Sequence, residues 1–250
     1  MQQPDPCRQT QPIHSPSMSA DVLPMITQPM YALPEAARLA RIPSSTLKRW
    51  IHGHSRRSTH GEPVFDEPVL RTEPTGVDEL TWGEFVEAIY LRAYRGKKIP
   101  LPKLRRLVAD LRDELGTPYP LATQKLFVSG RDVFRRVSGD LEASPEKQLA
   151  MEKAIVHYLE SLKLEFTADG YVIQWRPAEG DGLVLLQPDL SFGAPVVDVG
   201  IRTEVLFESF AAGDTIAAIV EGFKVPVEQV EAAIRYETKL GAKLPAESAA

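Results

Sequence analysis

Basic side chains are concentrated in one short stretch of this 250-residue chain. Residues 31–60 contain six arginines and lysines but a single acid, Glu35. Cationic groups at this density bind the phosphates of a nucleic-acid backbone, and polar side chains among them can hydrogen-bond to base edges. The stretch therefore predicts contact with nucleic acid. Its basic residues are Arg38, Arg41, Lys48, Arg49, Arg56 and Arg57.

A second stretch carries the opposite charge. Residues 195–240 contain eight acids and four basic residues, and the whole chain has a formal net charge of -5. The protein as a whole is therefore not a basic nucleic-acid binder, and its uneven charge distribution decides which part can approach phosphate. We expect the first stretch to attract phosphate and the second to repel it.

Two short helices joined by a tight turn are predicted to hold the basic stretch. The first follows Pro34 and ends before Pro43, and Ser44 or Ser45 can cap the second. Small or apolar residues at helical spacing form the inner faces, and residues 53–72 resemble a hairpin wing. The pattern is typical of a winged helix-turn-helix, whose second helix enters a major groove. The inner residues are Leu33, Ala36, Ala37, Ala40, Leu47, Trp50 and Ile51.

Seven residues are the candidates for DNA contact. Ser45, Thr46 and Arg49 could reach base edges from the second helix. Ser44, Lys48, Arg56 and Arg57 could bind phosphates from that helix and from the wing. The alternative is an ordinary helical hairpin with no ligand, which the basic outer face and the wing make less favourable.

The remaining pattern predicts an α+β, mostly helical chain with a small α+β middle. Amphipathic helices are expected from Trp82 and from Pro102, and a further helix over residues 145–163. A hairpin is expected around Ser129–Asp132, and strands at 171–175 and 183–186. The predicted divisions are a disordered leader (1–30), the head (31–122), the α+β middle (123–188), a helical C-terminal unit (189–240) and a tail (241–250).

No pattern of residues indicates an enzyme, a metal or a cofactor. The sequence lacks a phosphate-binding glycine loop, a nucleophile elbow, a zinc-protease motif and paired cysteines. The histidines His52, His54 and His60 lie in or near the predicted wing without a fourth strong ligand. The acids Asp78, Glu79, Glu84 and Glu87 precede or open a helix, where they stabilise its positive end.

The compartment follows from what the sequence does not contain. No apolar run is long enough to cross a membrane, and the start of the chain lacks the pattern of a signal peptide. A single cysteine, Cys7, cannot form an internal disulfide. We expect a cytoplasmic protein that makes no membrane contact.

The basic stretch resembles the DNA-binding head of MerR-type regulators. The similarity lies in Tyr31–Ala40, with the sequence YALPEAARLA, and in Ser45–Trp50, with the sequence STLKRW. The chain departs from that pattern at Arg41, where many such heads have glycine. The resemblance implies a winged helix-turn-helix that binds operator DNA.

The stretch from Asp189 to Glu237 resembles a family catalogued as domain of unknown function 433. The similarity lies in residues 192–197, with the sequence FGAPVV, in residues 200–203, and in the segments 211–214 and 227–234. Together with the MerR-like head, it resembles the architecture of VapB-type antitoxins of mycobacteria. That resemblance implies a toxin partner of the PIN ribonuclease class and repression of the chain's own operon.

The acidic unit is therefore interpreted as a surface for dimerisation or toxin binding, in a homodimer or a larger hetero-oligomer. A second DNA-binding head is its alternative, since the unit also has a helix-turn-helix pattern. For the whole chain, the alternative is an effector-sensing transcriptional regulator without a toxin partner. The candidate contact residues are Arg202, Glu204, Glu208, Glu228, Glu231, Arg235 and Glu237.

Overall fold

The computed structural model describes residues 22–123, 153, 157 and 162–241. Structure begins earlier than predicted, because helix α1 covers Val22–Thr27 and strand β1 covers Pro29–Ala32. Residues 22–30 therefore differ from the predicted leader. The physical reason is Ile26, which packs into the core of the head and is only 1% exposed. Residues 1–21 lie outside the described part of the chain.

The described residues form an α+β fold that is mostly helical, as predicted. None of their helices is long and apolar enough to cross a membrane. The helices are α1, α2 (Leu33–Ala40), α3 (Ser44–His52), α4 (Trp82–Gly96), α5 (Leu101–Leu115), α6 (Thr203–Ala211), α7 (Ile216–Phe223) and α8 (Val227–Lys239). The strands are β1, β2 (His54–Arg57), β3 (Pro63–Asp66), β4 (Glu79–Thr81), β5 (Leu164–Phe166), β6 (Val172–Trp175), β7 (Val184–Leu185) and β8 (Val196–Val197).

The head contains the predicted helix-turn-helix and wing. Helix α2 ends at Arg41, which adopts the left-handed conformation with φ 54° and ψ 46°. Glycine is favoured at such a position, so the structure retains the tight turn despite the arginine. Strands β2 and β3 pair antiparallel as the wing, and β1 pairs with β4. The predicted serine cap is wrong: Pro43 is the N-cap of α3, and no side chain caps it.

Helix α4 is the buried centre of the head. Thr81 and Glu84 form a capping box at its start: each side chain binds the backbone N–H of the other residue. The Glu84 carboxylate also accepts a hydrogen bond from Arg71 Nε at 2.6 Å, and both of these side chains are buried. The sequence interpretation of Glu84 as an acid at the helix start is thus correct, but its burial was not foreseen.

Glu87, one turn further along α4, is fully buried. Its carboxylate accepts a hydrogen bond from the backbone N–H of Leu121 at 3.0 Å and lies 3.6 Å from Arg112 Nη2. Burial penalises the charged form and raises the pKa of Glu87 to about 8, although Arg112 opposes the shift. Glu87 is therefore an interior group, and the sequence interpretation of an acid that opens a helix did not foresee its burial.

Among its described residues, the middle contributes strands to two small sheets. Strand β5 pairs with β6, and β7 pairs with β8, both antiparallel. Backbone hydrogen bonds between Trp175 and Leu186 connect the two pairs. Because β7 pairs with a strand beyond residue 189, the predicted boundary between middle and C-terminal unit cuts through a sheet. The hairpin around Ser129–Asp132 and most of the helix over 145–163 lie outside the described residues.

The buried Glu87 carboxyl predicts a dependence of stability on pH. Its pKa is about 8 in the folded protein and near 4.5 when unperturbed, so between these values the folded protein binds more protons than the unfolded chain. The free energy of unfolding should fall as pH rises through this window, by up to about 1.4 kcal/mol per pH unit. Glu87→Gln, which is neutral at every pH, should flatten this slope.

Urea unfolding followed by circular dichroism measures this slope. The titration runs from about pH 5 to about pH 8, which lies between the unperturbed and the raised pKa of Glu87. The control is Glu79→Gln, which changes an exposed carboxylate on β4 and should leave the slope unchanged. A wild-type stability that stays flat or rises across this range would contradict the raised pKa.

Candidate nucleic-acid interface

Helix α3 presents one apolar and one polar face. Leu47, Trp50 and Ile51 are buried against the head. Ser44, Ser45, Lys48 and Arg49 are exposed on the outer side, and Thr46 is partly exposed. The first backbone N–H groups of an α-helix have no partners within it, so the exposed start of α3 is also favourable for a phosphate. The five candidates from this helix therefore share one accessible surface.

Asp78 partly neutralises this surface. Its carboxylate lies 3.3 Å from Lys48 Nζ and 2.7 Å from His52 Nε2. Hydrogen bonds from His52 and Lys48 hold the pKa of Asp78 below its usual value. The Arg49 side chain has no hydrogen-bond or ion-pair partner within the described residues. Arg49 is thus the cation on α3 that is free to bind a ligand, whereas Lys48 must leave or share Asp78.

The wing supplies the other two predicted candidates. Arg56 Nε donates a hydrogen bond to Asp66 Oδ2 at 2.7 Å, across the hairpin. Arg57 is exposed, and no described residue pairs with its guanidinium. Gly53, with φ 71°, connects α3 to the wing at a point where a Cβ would collide with the Asp66 carbonyl oxygen. This tight connection places the wing directly beside the end of the recognition helix.

Arg105 on α5 is a basic residue near the wing that the candidate list left out. The hydrogen bond from Arg56 is the main reason why the pKa of Asp66 is lowered, and the charges of Arg56, His54 and Arg105 add to this effect. The Arg105 Nε atom has no hydrogen-bond partner among the described residues. The basic outer face of α5 was the signal in the sequence, but only the fold brings that face to the wing.

In the C-terminal unit, some of the predicted contact residues have no counter-ion, and others already form ion pairs within the chain. Glu208, Glu228 and Glu231 are exposed and have no counter-ion in the described ranges. Arg202 pairs with Glu204 at 2.8 Å, and Arg235 pairs with Asp181. Both candidate arginines, Arg202 and Arg235, are therefore already bound within the chain.

The prediction that Glu237 belongs to an exposed contact surface is wrong, because its side chain is only 3% exposed. Its carboxylate binds Arg38 Nη1 of α2 at 3.1 Å and accepts a hydrogen bond from the Thr203 hydroxyl at 2.5 Å. It therefore joins the helix-turn-helix to two helices of the C-terminal unit. This correction arises because the partners are 199 and 34 residues apart in sequence.

Two more contacts join the head to the rest of the chain. Arg41 Nη1 lies 3.0 Å from Glu179 Oε1, and the Tyr31 hydroxyl donates a hydrogen bond to the Gly193 carbonyl oxygen at 2.7 Å. With the pair of Arg38 and Glu237, they form the inter-unit contact. Arg38 and Arg41 thus bind acids of this chain, and the basic surface left for DNA lies on α3, the wing and α5.

Comparisons with known proteins agree with this division. Residues 29–108 match a family described as "Putative DNA-binding HTH domain", and residues 184–236 match "Protein of unknown function (DUF433)". A protein of Mycobacterium tuberculosis named "Putative antitoxin VapB45" is 30% identical over 226 residues, covering 82% of this chain and 92% of the relative. This chain belongs to the VapB45 antitoxin family.

Two further proteins of Mycobacterium tuberculosis resemble this VapB45-family chain. The uncharacterized protein Rv2308 is 31% identical over 137 residues, covering 54% of this chain and 56% of the relative. The crystal structure of Rv2018 has a TM-score of 0.62 at 24% identity and covers 83% of this chain and 97% of that one. The latter likeness supports the fold alone, and the finer similarity to MerR-type heads stays a prediction.

The different environments of Arg49 and Arg56 predict different effects on DNA binding. Arg49→Ala should weaken binding to the operator by about 1 to 3 kcal/mol and have little effect on unrelated DNA, as expected for a base contact. Arg56→Ala should weaken both DNAs to the same extent and lower the salt dependence, as expected for a phosphate contact. Fluorescence anisotropy with the DNA upstream of the gene and with a scrambled duplex measures both. Equal weakening of the two duplexes by Arg49→Ala would show that Arg49 contacts phosphate only.

The inter-unit contact predicts a stability effect far from the DNA surface. Arg38→Ala leaves the buried Glu237 carboxylate without its cation and should cost about 1.5 to 3 kcal/mol of unfolding free energy. Arg202→Ala is the control, because it removes an exposed pair on the surface and should change stability by less than about 1 kcal/mol. Denaturant titration checks both variants, and equal small losses would mean that the contact contributes little.

Proposed function

We propose that this protein is an antitoxin that binds and neutralises a PIN-class ribonuclease toxin and binds operator DNA to repress its own operon. The observation that carries the proposal is the presence of two exposed surfaces of opposite charge on one chain of an antitoxin family. One is the basic surface of α3 and the wing, and the other is formed by the unpaired acids of the C-terminal unit. On this proposal, operator DNA binds the basic surface and the toxin binds the acidic one.

The DNA-binding half of the proposal is supported by the geometry of α3. Its inner residues are buried, so the helix is held firmly, and its outer residues are available to a major groove. One such helix contacts only a few base pairs. We therefore propose that the protein acts at least as a dimer, with two heads about one helical turn, or roughly 34 to 36 Å, apart on a two-fold operator.

The toxin-binding half is supported by charge. A PIN-class nuclease uses carboxylates to hold divalent metal and requires basic surface nearby to hold RNA. A partner with unpaired acids can occupy that RNA path through charge complementarity. Glu208, Glu228 and Glu231 are the strongest contributors, because Arg202, Glu204 and Arg235 are already engaged in ion pairs.

Exposed apolar side chains add a second element of recognition in the same unit. Phe192 is 91% exposed and has a left-handed backbone with φ 54°, a conformation that is unfavourable for a phenylalanine. Phe223 and Val227 are also partly exposed. Aromatic residues at the centre of protein interfaces often supply a large share of binding energy, so these side chains suit a protein partner better than a nucleic acid.

Reversal of the unpaired acids tests the toxin-binding surface. A truncation before residue 189 is unsuitable, because it would remove the partners of Tyr31 and Arg38 and disturb the head. The triple variant Glu208→Lys, Glu228→Lys and Glu231→Lys should lose capture of the co-expressed neighbouring nuclease and lose rescue of growth. It should still bind operator DNA, because none of the three positions contacts the head.

The matched control reverses three exposed acids of the head, Glu73, Asp110 and Asp113, which makes an equal change in net charge. It should still capture the nuclease. If the C-terminal variant neutralises as well as the wild type, the inhibitory surface lies elsewhere in the chain. If no nuclease co-purifies with the wild type, an effector-sensing regulator without a toxin partner becomes the better interpretation.

A further inference from the structure

A cavity of about 440 Å³, including its open mouth, lies where the head, the middle and the C-terminal unit meet. Neither the proposed DNA surface nor the proposed toxin surface uses it. Its walls combine apolar side chains with two arginines, an acid and two aromatic residues that carry polar atoms. The polar members of the lining are Arg41, Arg92, Trp175, Glu179 and Tyr236, and its leucines are Leu39, Leu162 and Leu240.

Two of the lining residues contain buried polar atoms that lack partners. Trp175 is 6% exposed and Tyr236 is 1% exposed. Neither the indole N–H of Trp175 nor the hydroxyl of Tyr236 has a hydrogen-bond partner in the described part of the chain. Such groups destabilise a folded protein, and they are uncommon unless a ligand or water satisfies them. Two of them around one cavity indicate a missing acceptor.

The charge of the lining specifies the kind of acceptor. Glu179 is neutralised by Arg41 at 3.0 Å. Arg92 donates a hydrogen bond to the carbonyl oxygen of Ala40 at 2.8 Å, and no described carboxylate pairs with it. The lining therefore has one surplus positive charge. Burial raises the pKa of Tyr236, and among the charges that act on this hydroxyl are those of Glu179 and Arg41 in the lining, after those of Glu237 and Arg38.

We propose that this cavity binds a small monocarboxylate with an apolar body. The carboxylate accepts hydrogen bonds from the indole N–H of Trp175 and the hydroxyl of Tyr236, and Arg92 balances its charge. The apolar body packs against the leucines of the lining. One surplus charge favours a monoanion over a phosphate dianion, and because only about 50 Å³ of the cavity is enclosed, the ligand has to be small.

Benzoate is a suitable probe, with benzyl alcohol as its neutral analogue and phenyl phosphate as the dianion. The full-length protein has three tryptophans, Trp50, Trp82 and Trp175, so the indole N–H region of an NMR spectrum reports on each of them. Benzoate should shift the Trp175 resonance, assigned with Trp175→Phe, in a saturable manner and should raise Tm. Benzyl alcohol and phenyl phosphate should bind at least about tenfold more weakly, since each lacks a charge-matched carboxylate.

Matched tyrosine variants separate binding from folding. Tyr236→Phe removes an unpartnered hydroxyl, so without benzoate its Tm should equal or exceed that of the wild type, whereas its affinity for benzoate should fall about tenfold or more. Tyr90→Phe is the control, because Tyr90 also has a buried hydroxyl without a partner in the described residues but does not line the cavity. Its affinity for benzoate should be unchanged.

Arg92→Gln tests the charge and should also weaken benzoate binding about tenfold or more. The proposal is overturned if the Trp175 resonance shows no saturable shift up to the solubility limit of benzoate. It is also overturned if benzyl alcohol binds as tightly as benzoate, or if Tyr236→Phe and Tyr90→Phe bind benzoate equally well. Tighter binding of phenyl phosphate than of benzoate would overturn it as well.

Discussion

The pairing of buried carboxylates on α4 is the interaction on which the head depends. A charged group without a partner in the interior is very costly, so Glu87 requires a nearby cation or a proton. Arg112 lies beside Glu87 and also donates hydrogen bonds to the carbonyl oxygens of Val69 and Leu70. The N–H groups of these two residues bind the carbonyl oxygen of Trp50 in α3. The buried contact between Glu87 and Arg112 is thus connected through Val69 and Leu70 to helix α3.

The inter-unit contact determines how much positive charge the head can offer to DNA. Arg38 and Arg41 belong to the basic stretch by sequence, yet both are bound to acids of the middle and of α8. What remains is a small surface, with Arg49 and Arg57 free of ion-pair partners in the part of the chain described. A surface of this size favours low affinity for random DNA.

Local patterns predicted the elements, and long-range pairing accounts for most of what they missed. The spacing of Leu47, Trp50 and Ile51 identified α3, and the prolines and glycines marked its limits. Nothing near Lys48 or Arg56 in sequence reveals that Asp78 and Asp66 will neutralise them. The burial of Glu237 was equally hard to predict, since an acid on a helix is expected to be exposed and its partner Arg38 is distant in sequence. The predicted serine cap is wrong for a local reason, because Pro43 already occupies the N-cap position.

The separation of Arg38 and Glu237 by 199 residues has a consequence during synthesis on the ribosome. At about 5 to 20 residues per second, roughly 10 to 40 s pass between the emergence of α2 and that of α8. Arg38 lacks its partner throughout that interval, and Arg41 and Tyr31 lack theirs until Glu179 and Gly193 have been made. The newly made helix-turn-helix therefore exposes more positive charge than the finished protein, and completion of the last helix removes it.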